Sequence, residues 1–266
     1  MREEGLALLD RALDLAAAHK LALILDLHQI PVPRYADPGE YAALRALWRT
    51  LAKRYASRDQ AILFELLNEP RIEDAARWRE IVRELIADIR AEDPNRWIVV
   101  TGAEWGGAEN LIKMGNLKLP NLVYTYHWYD PFVFTHQGAT WTGEALKPLR
   151  GIRYPIDPEQ MRGRDGWPFS DWKDGGGKDE IEKRMKPVLD FGKLEGLLLY
   201  CGEFGVHKPY APPEDRARWI MDMVSILNAH HVCWAMWSYH SGFDLVEKDG
   251  TPTPAVVKAL GLNTKK

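Results

Sequence analysis

The sequence predicts an α/β fold of parallel strands joined by helices and closed as a barrel, and three observations lead there. Helix-period and strand-like segments alternate down the chain, which implies parallel strands joined by right-handed crossovers. None of the strand ends carries the glycine-rich turn that a doubly wound nucleotide-binding sheet needs after an early strand. Polar residues cluster instead at the C-terminal ends of several different strands, where α/β barrels place their reacting groups. The 266 residues suit one barrel of about 250 residues. With no repeat, low-complexity tract or linker, they read as a single domain over 1–266.

The elements follow in order. The first helix sets Leu6, Leu9, Leu13 and Ala16 at helical spacing, and Asp10, Arg11, Asp14 and His19 interrupt it, which excludes the apolar region of a signal peptide. Residues 21–27 are an apolar run fit for a strand buried on both faces, ending at His28. Asp37, Pro38 and Glu40 then offer an N-cap, a first-turn proline and an acidic third position, opening a helix with Leu44, Leu47, Leu51 and Tyr55 on one face. Strand 61–67 runs into Asn68-Glu69-Pro70. A helix with Trp78, Ile81, Val82, Leu85 and Ile89 on its apolar side stops at Asp93-Pro94, and strands follow at 97–101 and 121–127. Residues 128–178, rich in Gly, Pro, Trp and Asp, read as a long loop, and loops of that length are functional or mobile. A helix over 179–191, a strand over 197–202, a helix over 214–227, a strand over 232–236 and a helix over 254–260 complete the series.

Composition narrows the function. A formal charge of -3 and a pI near 6.3 exclude the broad basic surface that non-specific binding to nucleic acid or an anionic membrane requires. The longest apolar runs fall far short of a bilayer span. Cys201 and Cys233 are too few for a disulfide framework and read as buried free thiols. The 11 Trp call for either a bulky core or a cleft with stacking surfaces.

Two glutamates stand at equivalent places. Glu69 follows the apolar strand that ends in Leu66-Leu67-Asn68, and Glu203 follows Tyr200-Cys201-Gly202. One carboxyl group at a strand end is ordinarily a cap or a rim ion pair. Two on different strands suit glycoside hydrolysis, where one group donates a proton to the leaving oxygen while the other attacks the anomeric carbon or activates water.

With these residues in view, the chain resembles glycoside hydrolase family 5, the cellulase family of retaining (β/α)8-barrel glycosidases. Phe64-Glu65-Leu66-Leu67-Asn68-Glu69-Pro70 is similar to the family's strand-4 signature, which implies that Glu69 is the acid/base and that Asn68 holds the sugar 2-hydroxyl. Gly202-Glu203-Phe204-Gly205 is similar to the strand-7 signature and implies a nucleophilic Glu203. By the same resemblance His28 ends strand 3, His127 and Tyr129 end strand 6, and Trp237 is the strand-8 tryptophan beneath the sugar beside the cleaved bond. Trp105, Trp128, Trp141, Trp167 and Trp172 lie in post-strand loops, each open to sugar stacking or to packing. Asp26 and Glu65 read as polar members of the barrel interior, and Glu104 has no assigned role.

The implied activity is endo-hydrolysis of β-1,4-linked glucan with retention, with a polysaccharide or oligosaccharide as partner and no metal or organic cofactor. Mannan, mixed-linkage glucan and small β-glucosides stay open, since subsite loops choose among them. Retention sets the Glu69 and Glu203 carboxyl groups about 5 to 5.5 Å apart. A metal-dependent hydrolase lacks its His-x-His and His-Glu-x-x-His patterns here. The other rival is a catalytically impaired carbohydrate-binding barrel. It has a definite basis, because the six strands correspond to the family's strands 3 to 8. The first two βα units, and with them the strand-2 arginine, are expected to be missing. Such a chain should be marginally stable, self-associate through exposed strand edges, and be less active than a relative with all eight strands. Family members are often exported, and the sequence does not set the compartment.

Overall fold

The computed structural model describes residues 3–29, 38–58 and 61–262. The chain divides into two compact units, Met1–Tyr126 with Phe191–Leu199, and His127–Asp190 with Tyr200–Lys266. The first opens with α1 (Glu3–Ala18), which buries Leu6, Leu13 and Ala16, and β1 (Leu23–Asp26). In α2 (Pro38–Tyr55) the buried face is Leu44, Trp48, Leu51 and Tyr55, and β2 (Ile62–Glu65) follows. Next comes α3 (Ala75–Glu92), whose apolar stripe is wholly buried and whose N-cap Asp74 accepts from the amides of Ala76 and Arg77. Strand β3 (Ile98–Thr101), the turn α4 (Ala103–Gly106), α5 (Ala108–Met114) and β4 (Leu122–His127) complete this part. Neighbouring strands pair in parallel from β1 to β4.

The second unit contains the short helices α6 (Phe132–Thr135) and α7 (Pro158–Met161) and a 3-10 turn at Ser170–Trp172. Most of α8 (Lys178–Glu195) and β5 (Leu199–Phe204) belongs here too. Then come α9 (Pro213–Ala229), β6 (Cys233–Met236) and α10 (Pro254–Ala259). Strands β5 and β6 pair in parallel, with a register shift between Cys201 and Phe204. The sheet order is β1-β2-β3-β4-β5-β6. Among the described residues, six parallel strands alternate with helices, the expected α/β-barrel class, and they correspond to the strands that the resemblance numbers 3 to 8.

Several expectations need correction. The run at 21–27 is not a strand buried on both faces: only Leu23–Asp26 is strand, and every residue in it is half-buried. Cys201 is buried but Cys233 is exposed. Both departures have one cause. Among the described residues, strands β1 and β6 stand at the two ends of the sheet order, so each has a described neighbouring strand on one side only, whereas β3 and β4 are buried throughout. Residues 128–178, read as a long loop, are ordered by more than their ends. They hold three short helical turns and an antiparallel bridge between Ile156 and Gly176. Phe134, Leu146, Ile152, Tyr154 and Trp172 are buried there, and Gln137 pins the segment by exchanging hydrogen bonds with the backbone of Ile152. The proposed cap Asp37 lies outside the described residues.

One buried cation ties the first unit together. Arg96 is fully buried and pairs with Asp93 at 2.7 Å. It also donates to the carbonyls of Ile62 at 2.7 Å and Tyr55 at 2.9 Å, joining the end of α2, the start of β2 and the end of α3. Removing one partner of a buried pair leaves a buried charge uncompensated. Arg96→Met should therefore cost about 3 to 5 kcal/mol, read as a lower urea midpoint. A loss below about 1 kcal/mol, the scale of an exposed ion pair, would contradict this role.

Candidate active site

In the first unit, the ladder continues past the end of β2. The amide of Leu66 donates to Val99 at 3.3 Å, and that of Asn68 to the Leu27 carbonyl at 3.1 Å. With Asp26 opposite Glu65, regular parallel pairing would bring Leu67 to that carbonyl. An extra residue is therefore inserted just before Asn68, a bulge of the kind that re-aims side chains near active sites. The indole N–H of the buried Trp48 holds the Leu66 carbonyl at 3.0 Å, which anchors the segment. Asn68 is buried and Glu69 half-buried beside it. His28 is exposed, and its Nδ1 lies 2.8 Å from the Asp26 carboxylate. Asp26 thereby orients an imidazole, and Glu65 is the buried polar residue the sequence suggests.

The turn after β3 is strained. Glu104 and Trp105 both take left-handed backbone angles, with φ of 44° and 65°, a costly conformation for residues with side chains. Hydrogen bonds from their amides to the carbonyls of Ile72 and Pro70 hold it, so the turn is tethered to the residues just after Glu69. It leaves Trp105 53% exposed, with the Arg71 guanidinium 4.3 Å from the ring centre.

In the second unit, Glu203 lies within β5 rather than beyond it and is only 8% exposed. Its backbone carbonyl accepts the Trp128 amide at 2.9 Å. The Tyr129 phenol donates to its carboxylate at 2.7 Å, and the buried His127 Nδ1 stands 3.6 Å from the same oxygen. Burial and the nearby Glu203 charge raise the Cys201 thiol above its ordinary range. Trp237 is half-buried after β6, and its amide donates to the Phe204 carbonyl at 2.9 Å. A Cβ on Gly205 would sit 2.2 Å from the Trp237 carbonyl. That approach explains the second glycine of Gly202-Glu203-Phe204-Gly205, since only a residue without a side chain lets the two chains pass so closely.

The same unit holds groups to which the sequence assigned no role. His136 is stacked on Phe132 at 3.9 Å and meets Tyr129 edge-on at 4.9 Å. Burial, aided by the neighbouring His207, pushes its pKa down to about 3, so the ring is neutral; burial also lowers His207. Arg216 is buried and holds the carbonyls of Val206 at 3.2 Å, Phe243 at 2.6 Å and Asp244 at 2.7 Å, clamping the loops that follow β5 and β6. Desolvation lowers its pKa to about 10, leaving it a cation. Its sequence signal is weak, since an arginine in a helix is ordinarily surface. Trp141 and Trp167 are 61% and 58% exposed, whereas Trp128 and Trp172 are buried. Three of the five loop indoles thus offer a face to solvent and two are packing.

Residues 1–242 match the family described as Cellulase (glycosyl hydrolase family 5). Endoglucanase C of Acetivibrio thermocellus is 32% identical over 94% of this chain and 78% of its own length. Endoglucanase Cel5A from the hyperthermophilic Thermotoga maritima superposes with a TM-score of 0.84 at 26% identity, over 98% of this chain and 79% of that one. The same enzyme in complex with mannotriose gives 0.81 at 26% identity, again over 98% and 79%. On the family match and the 32% relative, this chain belongs to the cellulase family, glycosyl hydrolase family 5, and is a glycosidase that hydrolyses O-glycosyl bonds.

Proposed function

We propose that this chain cleaves β-1,4-linked glucan internally, with retention of configuration, by double displacement. The observation that carries the reading is the Glu203 carboxylate, withdrawn from water in β5 and accepting the Tyr129 phenol at 2.7 Å. A carboxylate is placed there at a desolvation cost, and a nucleophile aimed by a hydrogen bond is a use that justifies it. Glu203 attacks the anomeric carbon while Glu69 gives its proton to the departing glycosidic oxygen, and a covalent glycosyl-enzyme forms. Glu69 then takes a proton from water as the water attacks that intermediate, and Glu203 leaves. Asn68 holds the 2-hydroxyl, His28 and His127 contact the sugar, and Trp237 lies beneath the ring. The three exposed indoles, Trp105, Trp141 and Trp167, are the candidates for stacking further sugars along a polymer.

Glucan is the preferred substrate because the relatives named are endoglucanases. Mannan is the second reading, favoured by the mannotriose complex of the Thermotoga enzyme. A panel of soluble β-glucans and mannans distinguishes them, and release of long oligosaccharides from carboxymethylcellulose supports internal cleavage of glucan. No turnover of any member of the panel would leave a carbohydrate-binding barrel.

Two outcomes test this reading, and a third tests the burial of the imidazole that packs against Tyr129. Glu203→Gln should lower kcat about 10⁴-fold or more, the scale on which removal of a nucleophile acts; activity within a few-fold of the parent would remove its role. Glu69→Ala should slow unactivated oligosaccharides about 10² to 10⁴-fold while sparing aryl glycosides whose leaving groups need no proton. Equal losses on both would contradict acid catalysis by Glu69. The third outcome concerns pH. His136 binds a proton near pH 6.5 when unfolded but only near 3 when folded, so the unfolded state holds more protons between these values. Stability should be full above pH 6.5 and decline as pH falls toward 3. His136→Gln should flatten that decline in urea midpoints measured from pH 7 to 4. An unchanged slope would show that this ring does not set it.

A further inference from the structure

Thr135 ends α6, and its side chain is fully buried. Its hydroxyl lies 2.5 Å from the Tyr129 carbonyl, 3.4 Å from that of Pro131 and 3.0 Å from His136 Nδ1. A hydroxyl has one proton to give, and the shortest contact takes it, to Tyr129. Toward His136 the oxygen can then only accept, so Nδ1 carries the hydrogen and Nε2 is left as an acceptor. The Thr135 carbonyl in turn accepts the amide of His207 at 2.8 Å, four residues beyond Glu203. One residue therefore holds the backbone of Tyr129, the tautomer and plane of His136, and the start of the loop after β5.

These contacts converge on the Tyr129 ring. Its phenol donates to Glu203, and its sides meet the edges of His136 at 4.9 Å and Phe243 at 6.0 Å. Without the Thr135 hydroxyl, the part-buried Tyr129 carbonyl and the buried His136 N–H would both lose that partner, and the ring would lose the hold on its backbone and on one wall. We propose that the Thr135 hydroxyl is a positioning group for glycoside cleavage, acting through Tyr129 to aim the Glu203 carboxylate. The inference rests on the reading of Glu203 as nucleophile. Small displacements of an attacking group are expensive, on the order of 100-fold for about 1 Å, so the effect should fall on the bond-forming step rather than on sugar binding.

The test uses 2,4-dinitrophenyl 2-deoxy-2-fluoro-β-cellobioside, which traps the first covalent intermediate, with peptide mass mapping and steady-state rates on an aryl β-cellobioside. The parent should be labelled on Glu203. Thr135→Val should slow labelling and kcat about 10 to 100-fold with KM changed less than about threefold, and Thr135→Ser should restore both to within about threefold of the parent. In a Tyr129→Phe background, Thr135→Val should cost less than about threefold more, because groups acting through one another are not additive. If Thr135→Val does not fold, Thr135→Ala carries the same comparisons. Labelling of Glu203 at the parent rate in the hydroxyl-free variant, or an equal loss with and without the Tyr129 phenol, overturns the positioning role alone. A label on another residue, or none on the parent, overturns the reading of Glu203 and this role with it.

Discussion

A carboxylate withdrawn from water inside a strand is the constraint on which the second unit turns. Glu203 is the fifth residue of β5, and an ionised group there is costly unless its oxygens are satisfied. The chain meets that cost from several directions at once. Its backbone is held by the β4 extension at Trp128, its side chain by the Tyr129 phenol with His127 close by, and the following loop by Arg216 and Thr135. The glycine after Phe204 lets the Trp237 backbone pass against the same strand. A buried carboxylate and the groups that hold it are thus one arrangement rather than two.

Tryptophan does structural work in both units that its bulk alone does not describe. Trp48 on α2 holds the Leu66 carbonyl at 3.0 Å, Trp78 on α3 that of Thr101 at 2.8 Å, and Trp219 on α9 that of Asp130 at 3.1 Å. All three indoles are fully buried. A buried indole gains by placing its N–H on an acceptor, and carbonyls at or just past the end of a strand are acceptors that the ladder leaves over. The pairing solves both problems and locks a helix to the chain where it leaves a strand. The exposed indoles, Trp105, Trp141 and Trp167, belong to a different class, and the two kinds together account for much of the chain's tryptophan content.

The alternation of elements was legible because it depends on local period, as with the stripe from Trp78 to Ile89 on α3 and the apolar run of β4. Glu69 and Glu203 were legible because a carboxyl group next to an apolar strand is conspicuous wherever it occurs. What depended on neighbours was not. Residues 21–27 and 232–236 have the composition of inner strands, and only the sheet order shows that, among the described residues, each has a neighbouring strand on one side. The core within 128–178 went unseen because its helical turns are three or four residues long, too short for a period. The bulge before Asn68 is a matter of register, and the meaning of Thr135 arises only once the Tyr129 carbonyl folds back onto it.

Everything proposed for Glu69 and Glu203 requires two displacements at one carbon. The most direct test is the configuration of the first product, followed by proton NMR during early hydrolysis of a β-cellooligosaccharide, before mutarotation. Double displacement predicts that the new reducing end is released as the β anomer and decays slowly toward the equilibrium mixture. Release of the α anomer first would mean a single displacement by water and would remove Glu203 as the nucleophile.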